Sequence, residues 1–434
     1  MIEKYKLYAG TLFAALWISL CWGFVQEEFI GLLERVRPFV FLLLDLIFII
    51  LGVFALRNRR DAIFVGLFVI IVSASALLNS QGLVTVLNGS RDFIGLVLAA
   101  PVIRRLLESK YSERFSKSFD RQLQIFLYVQ AVCITWQFIR YGAGDAGGGS
   151  MGEGASGTIS ALIYFVSFYL MCRRWDLGQS YIHNIRNNIG LVVLLYPTFL
   201  NETKISLVLV VFYFVMLVKI NRQYLLKLAA FLPLIILVGI TAVWSYTLVV
   251  GHDADEVFSE DNMYEYLVGE DIEELVELAI LVQDEEIETD NLWVMDIPRI
   301  SKLAMVPVAL EETGGKLWLG AGVGQFKGAS VLSKTKFASK YAWLLQGSRP
   351  FLFFVIVQLG VIGLAWAIAN FISIVQTRND GWFSWNMRLY MYLLVLMSML
   401  YNDSFRLFQY CFILFYVVMI GLASHDKPLK VTAG

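Results

Sequence analysis

Several basic residues stand where a strongly apolar chain has least reason to carry them. They are Arg91, Arg140, Lys204, Arg299, Lys302, Arg349 and Arg406. Arg299 and Lys302 start the second half of a long polar segment and the others lie at or near the end of an apolar run, all on the face whose other segments are acidic or neutral. Arginine presents a planar fork of donors and keeps its charge at any relevant pH, so it matches phosphate oxygens in pairs. One such residue alone reads as snorkelling, or as a contact to anionic lipid headgroups. Several together at one depth suit a lipid-linked diphosphate.

Other chemistries find less support. His252, Asp253, Asp255 and Glu256 form a small acidic cluster, but no compact ligand set completes it, and an ordinary acidic loop is the expectation. Of the three histidines, His183 and His425 fall on the other face, which argues against a Ser-His-Asp arrangement. No phosphate-binding loop of the Walker kind is present. The glycines of LGAGVGQF do not follow a strand in a βαβ unit, so they are not a dinucleotide fingerprint. Cys21, Cys133, Cys172 and Cys411 sit in or beside apolar runs and suggest neither a disulfide framework nor a zinc site. No cofactor, metal or nucleic-acid partner is expected.

The elements that must position these residues are membrane helices. Charged residues make up 16% of the chain, against about 25% in a typical soluble domain. Apolar runs recur with lengths near that of a bilayer-spanning helix, and about twelve spans are predicted. They are Tyr8–Val25, Phe39–Leu56, Ala62–Leu78, Asp92–Ile103, Leu123–Tyr141, Thr158–Cys172, Ile189–Leu200, Ile205–Val218, Leu228–Gly251, Pro350–Gln376, Leu389–Tyr401 and Phe405–Ser424. The basic stretches RNRR, IRRLLESKYSERFSKSFDR, RRW, KINRQYLLK and QTRND then share one side with both termini, and the positive-inside rule makes that side cytoplasmic. The expected fold is an all-α polytopic membrane protein. Residues 1–250 form a first bundle of nine spans, 251–349 a long polar segment outside the cytoplasm, and 350–434 the last three spans. Within the long segment, Leu267, Val268, Ile272, Leu275, Val276, Ala279 and Val282 recur at helical spacing among acidic residues, which predicts an amphipathic helix. A solvated face is the plainer use of it, a lid or docking surface the sharper one. The Gly-rich stretch GAGDAGGGSMGEGASG reads as a flexible loop, and Asp45, inside the second span, reads as an interhelical hydrogen-bonding group.

Three stretches carry a resemblance to a known family. NETKISLVLVV places Lys204 at the entry to an apolar helix. PRISKLAMVPVALEETGGKLWLGAGVGQF begins at an arginine, Arg299, and ends in a turn holding Gly320, Gly322, Gly324 and Phe326. SRPFLFFVIVQLGVIG sets Arg349 and Gly360 with ten residues between them. Together these are similar to the Wzy-type polysaccharide polymerases and the related O-antigen ligases, membrane glycosyltransferases with a large periplasmic loop. Two positions depart from the pattern: Lys204 stands for an arginine, and Arg349 stands where the ligases carry histidine. Arginine cannot act as a general base near neutral pH, which argues against a ligase.

The resemblance implies a bacterial inner-membrane enzyme that polymerises undecaprenyl-diphosphate-linked repeat units at the periplasmic face. It implies Arg299 and Arg349 on the diphosphates with Lys204 assisting, Arg406 and Arg140 in second rank, and a separate chain-length regulator as partner. Glu202, Asp145 and Asp403 are equally open as the base for the acceptor hydroxyl, and Trp318, Tyr341 and Trp343 could stack on sugars or anchor at the interface. Two rivals stand beside this reading. One is ligase-type transfer to lipid A-core. The other is a transporter of lipid-linked glycan, against which the long outer segment and the lack of an internal repeat both count.

Overall fold

The computed structural model describes residues 2–29, 36–142, 147–176, 178–201, 205–217, 299–325, 350–375 and 382–423. The predicted ninth span and the amphipathic acidic helix lie outside these residues. So do Glu202, Lys204, Asp145, His252, Phe326, Tyr341, Trp343 and Arg349.

The described chain is helical. No β-strand forms among the described residues, where a lone antiparallel bridge joins Lys316 and Gly320. In order the helices are α1 (Ile2–Phe29), α2 (Arg37–Ala55), α3 (Arg59–Leu78), α4 (Leu83–Ser90), α5 (Ile94–Leu107), α6 (Ser112–Tyr141), α7 (Ser156–Arg174) and α8 (Tyr181–Asn187). They continue as α9 (Ile189–Val193), α10 (Pro197–Leu200), α11 (Ile205–Met216), α12 (Arg299–Ala304), α13 (Val306–Thr313), α14 (Phe351–Val375), α15 (Trp382–Tyr401) and α16 (Phe408–Ala423). Among the described residues, 7 helical stretches are long and apolar enough to cross a membrane. Ile189–Leu200 and Phe408–Ile420 are shorter apolar stretches.

Local chemistry sets several boundaries. Pro38 stands in the first turn of α2, where its missing N–H costs nothing. The Asn58 side chain accepts from Arg60 N at 3.0 Å and caps α3. The predicted fourth span starts earlier than its hydropathy suggests. Leu83–Leu107 is one candidate span, formed by α4 and α5 joined through a 3₁₀ turn at Arg91–Phe93. The fifth also starts earlier, because the charged first turns of α6 extend the apolar helix by several residues.

The core centres on α5, α7 and α16. α16 packs against both of the others, and α2 lies along α5. Val102, Val166, Phe168, Phe412 and Phe415 are fully enclosed there. α14 packs on α3, and α15 on α7.

The Gly-rich loop corrects an expectation. Its described part, Gly147 onward, is not a loose surface loop. The 3₁₀ turn Gly149–Met151 is packed between α1 and α6. Two glutamines of α6 satisfy its backbone. Gly149 N donates to Gln137 Oε1 at 2.8 Å, and Gln137 Nε2 donates back to Gly149 O at 3.2 Å. Ser150 N donates to Gln130 Oε1 at 2.9 Å, while Gln130 Nε2 donates to Ser150 Oγ at 2.6 Å. Irregular backbone inside a membrane protein is stable only when its polar groups are met in this way.

Candidate functional site

The most constrained local structure among the described residues is a glycine turn docked on a broken helix. In the turn, Gly320, Gly322 and Gly324 all adopt positive φ (69°, 95° and 89°), which L-residues with a Cβ rarely adopt. Facing it, α14 is interrupted at Gly360, with φ 67° and ψ −169°. The break frees backbone groups on both sides, and the turn takes them up. Ala321 N donates to Val357 O at 2.7 Å and Gly322 N to Gln358 O at 3.0 Å. In return, Val361 N donates to Leu317 O at 2.9 Å and Ile362 N to Trp318 O at 3.1 Å. Gly324 N donates to the buried side-chain oxygen of Gln358 at 2.7 Å.

The other side of the turn is held by α3 and the link to α4. Ser75 Oγ donates to Leu319 O at 2.7 Å, Asn79 Nδ2 to Gly320 O at 3.1 Å, and Gln81 Nε2 to Ala321 O at 3.2 Å. A Cβ on Gly324 would run into Thr85 O, and one on Gly322 into the Gln81 amide. The glycines are therefore needed for close approach as well as for conformation.

One turn before Gln358 lies Phe354, and over its ring stands Arg406, with the guanidinium carbon 4.6 Å from the centroid. Arg406 Nη1 donates to Asp403 Oδ2 at 2.5 Å and Nη2 to Asp92 Oδ1 at 3.3 Å. Phe351 N, at the start of α14, donates to Asn402 O at 3.0 Å, so the first half of α14 is tied to the α15–α16 connection. Arg349 directly precedes Pro350, which is buried.

The helix that starts at Arg299, α12, packs against α14 and α15, and its Lys302 is fully buried. α13 also packs on α14. α11, which follows Lys204, packs on α15 and α7. Just before it, Asn201 is enclosed, donating to Ser160 Oγ at 2.9 Å and to Ser156 O at 3.3 Å.

No protein-family model and no curated protein sequence matches this chain. The likeness to the polysaccharide polymerases therefore rests on the residues themselves.

Of the residues singled out from sequence, the fold gathers Gly320, Gly322, Gly324 and Arg406 around the first half of α14. Arg140 joins a separate group. Its Nη1 donates to Glu28 Oε2 at 2.5 Å, Trp136 Nε1 donates to the same oxygen at 3.0 Å, and its guanidinium lies over the Tyr141 ring. Asp45 accepts from Arg91 Nε at 2.6 Å. Trp318 is exposed beside the glycine turn. Among the described residues no group of three or more His, Cys, Asp or Glu is arranged to hold a metal ion. Sequence reasoning missed Gln358, Phe354 and Asp92. Gln358 had a signal, being a polar residue inside an otherwise apolar run. Phe354 had none.

Proposed function

We propose that the chain is a metal-independent glycosyltransferase of the bacterial inner membrane, with about twelve spans and its long polar segment on the periplasmic side. It polymerises repeat units carried on undecaprenyl diphosphate. The observation that carries this reading is the assembly around α14. The Arg299-led helix and the Gly320–Gly324 turn both pack on the helix that follows Arg349. Those are two of the three stretches on which the resemblance rests.

In the proposed reaction a hydroxyl of the incoming unit attacks the anomeric carbon of the growing glycan. A new C–O bond forms, and the bond from that carbon to the diphosphate oxygen breaks. The electron pair leaves with the diphosphate, and the hydroxyl proton passes to a carboxylate, with Glu202, Asp145 and Asp403 as candidates. Arg299 and Arg349, assisted by Lys204, meet the charge that develops on the leaving group. Fixed cations at a developing charge are worth roughly 10²–10³ in rate each. Gly320, Gly322 and Gly324 serve by fixing α14. Arg406 already carries two carboxylates, so its part is to hold the same helix. Arg140, which pairs with Glu28, is an outer contact to the glycan-lipid.

The test uses purified protein in nanodiscs with lipid-linked repeat units and no nucleotide sugar. A ladder of lipid-linked oligomers is expected from the wild type, and loss of the ladder from folded Arg299→Ala and Arg349→Ala. A folded wild type that makes no ladder from its own repeat unit refutes the reading. Transfer to a lipid A-core acceptor, or flipping in liposomes, would then mark the ligase or the transporter.

A further inference from the structure

An ion pair lies in the wall of the bundle where apolar residues would be expected. Asp45 sits in the middle of α2, the most apolar of the candidate spans, and Arg91 sits in the 3₁₀ turn between α4 and α5. Arg91 Nε donates to Asp45 Oδ2 at 2.6 Å and Nη1 donates to Asn88 Oδ1 at 3.2 Å. The third guanidinium nitrogen, Nη2, has no partner among the described residues. The pair is not sealed in the core, since the side chains are 28% and 22% exposed. The residues on the same helical faces, Leu42 and Ile49 on α2, Val84 and Leu87 on α4, are exposed hydrophobics. α2 packs along α5, and the pair joins α2 to the turn from which α5 starts.

A charged pair among apolar residues is costly, and such residues are kept where they meet a polar ligand. Arg91 supplies a fork with one arm steadied by a carboxylate and one arm free, at a backbone turn. That is the geometry for one oxygen pair of a phosphate. We infer that Arg91, oriented by Asp45 and Asn88, is a binding site for the diphosphate head of a polyprenyl lipid entering the bundle sideways between α2 and α4. The lipid chain lies against Leu42, Ile49 and Leu87 while the head reaches the arginine. The same turn leads into the proposed reaction site. Asp92 is the next residue and pairs with Arg406, and Gly89 lies against Gly324. The identity of the lipid rests on the polymerase reading. The phosphate chemistry at Arg91 rests only on the geometry.

The test is equilibrium binding of a fluorescent polyprenyl diphosphate to the full-length protein in phosphatidylcholine nanodiscs. Tighter binding than that of the matching polyprenol is expected for the wild type. Arg91→Gln should weaken it by roughly tenfold or more, the size of one charge-assisted hydrogen bond, with Arg91→Lys in between. The double variant Asp45→Asn with Arg91→Gln removes both charges and leaves no unpaired carboxylate, so a folding defect in the single variant does not hide the answer. It should bind as weakly as Arg91→Gln. Wild-type affinity in the double variant overturns the inference. So does displacement of the probe by phosphatidylglycerol at equal concentration, which would make the site one for bulk anionic lipid. If the wild type makes a glycan ladder while the variants bind normally, the inference falls and the polymerase reading stands. If the wild type neither makes the ladder nor binds polyprenyl diphosphate, both fall.

Discussion

Gly360→Ala tests whether the broken helix is a built feature. The backbone there has φ 67° and ψ −169°, a region occupied almost only by glycine, and a side chain in it costs about 1–3 kcal/mol in strain. Space makes matters worse. An added Cβ would overlap the Trp318 carbonyl and stand 2.5 Å from Leu319 N, which are main-chain atoms and not the mobile end of a side chain. Relief requires the glycine turn to withdraw. Withdrawal breaks the bonds from Val361 N to Leu317 O and from Ile362 N to Trp318 O. A buried polar group left unmet costs about 1–3 kcal/mol. The sum predicts a loss of about 3 kcal/mol or more. Gly66→Ala is the matched control, because no heavy atom lies within 4 Å of its would-be Cβ in α3. There the same chemical change should be neutral, or stabilising by up to about 1 kcal/mol. Both variants are compared with wild type by unfolding in mixed micelles of rising SDS fraction, read by tryptophan fluorescence. If Gly360→Ala unfolds within about 1 kcal/mol of wild type, an ordinary surface-type effect, the account of the break is wrong.

Two further perturbations address the polar groups that hold the bundle together. Gln137→Leu leaves Gly149 N and O without their partner, so it should lower stability by about 1–3 kcal/mol and open the Gly149–Met151 turn to amide hydrogen exchange; unchanged protection would count against the packed turn. Arg406→Ala strips both Asp92 and Asp403 of their cation, for an expected cost of about 3–5 kcal/mol in the same SDS titration. The neutralised Asp92→Asn, Asp403→Asn, Arg406→Gln variant should recover part of that loss, and no recovery would show that the stacking on Phe354 outweighs the ion pairs.

The helices were legible because a bilayer span announces itself by length and apolarity. α2 and α3 begin and end within a few residues of their predicted limits. Hydropathy loses accuracy where charge enters a helix, as at the first turns of α6 or at Arg91–Phe93, because a polar turn lowers the average without ending the helix. The Gly-rich loop was misread for a different reason. Glycine-rich composition speaks only for backbone freedom, while Gln130 and Gln137, seven residues apart on one face of an apolar helix, were the sign that a backbone segment docks there. At the candidate site, the glycines of the turn were visible. That they grip a helix broken at Gly360 was not, because the pairing joins residues some forty positions apart through main-chain atoms that leave no mark on residue type.

That last point bears on how such a chain can diverge. The joint between the turn and α14 is made by amides and carbonyls, while the side chains of Leu317 and Trp318 face outward. Replacing those side chains leaves the joint intact. Adding or deleting one residue between Lys316 and Gly324 shifts every amide past its carbonyl. The constraint falls on spacing and on a handful of glycines, so lineages can keep this architecture while their sequences drift beyond mutual recognition.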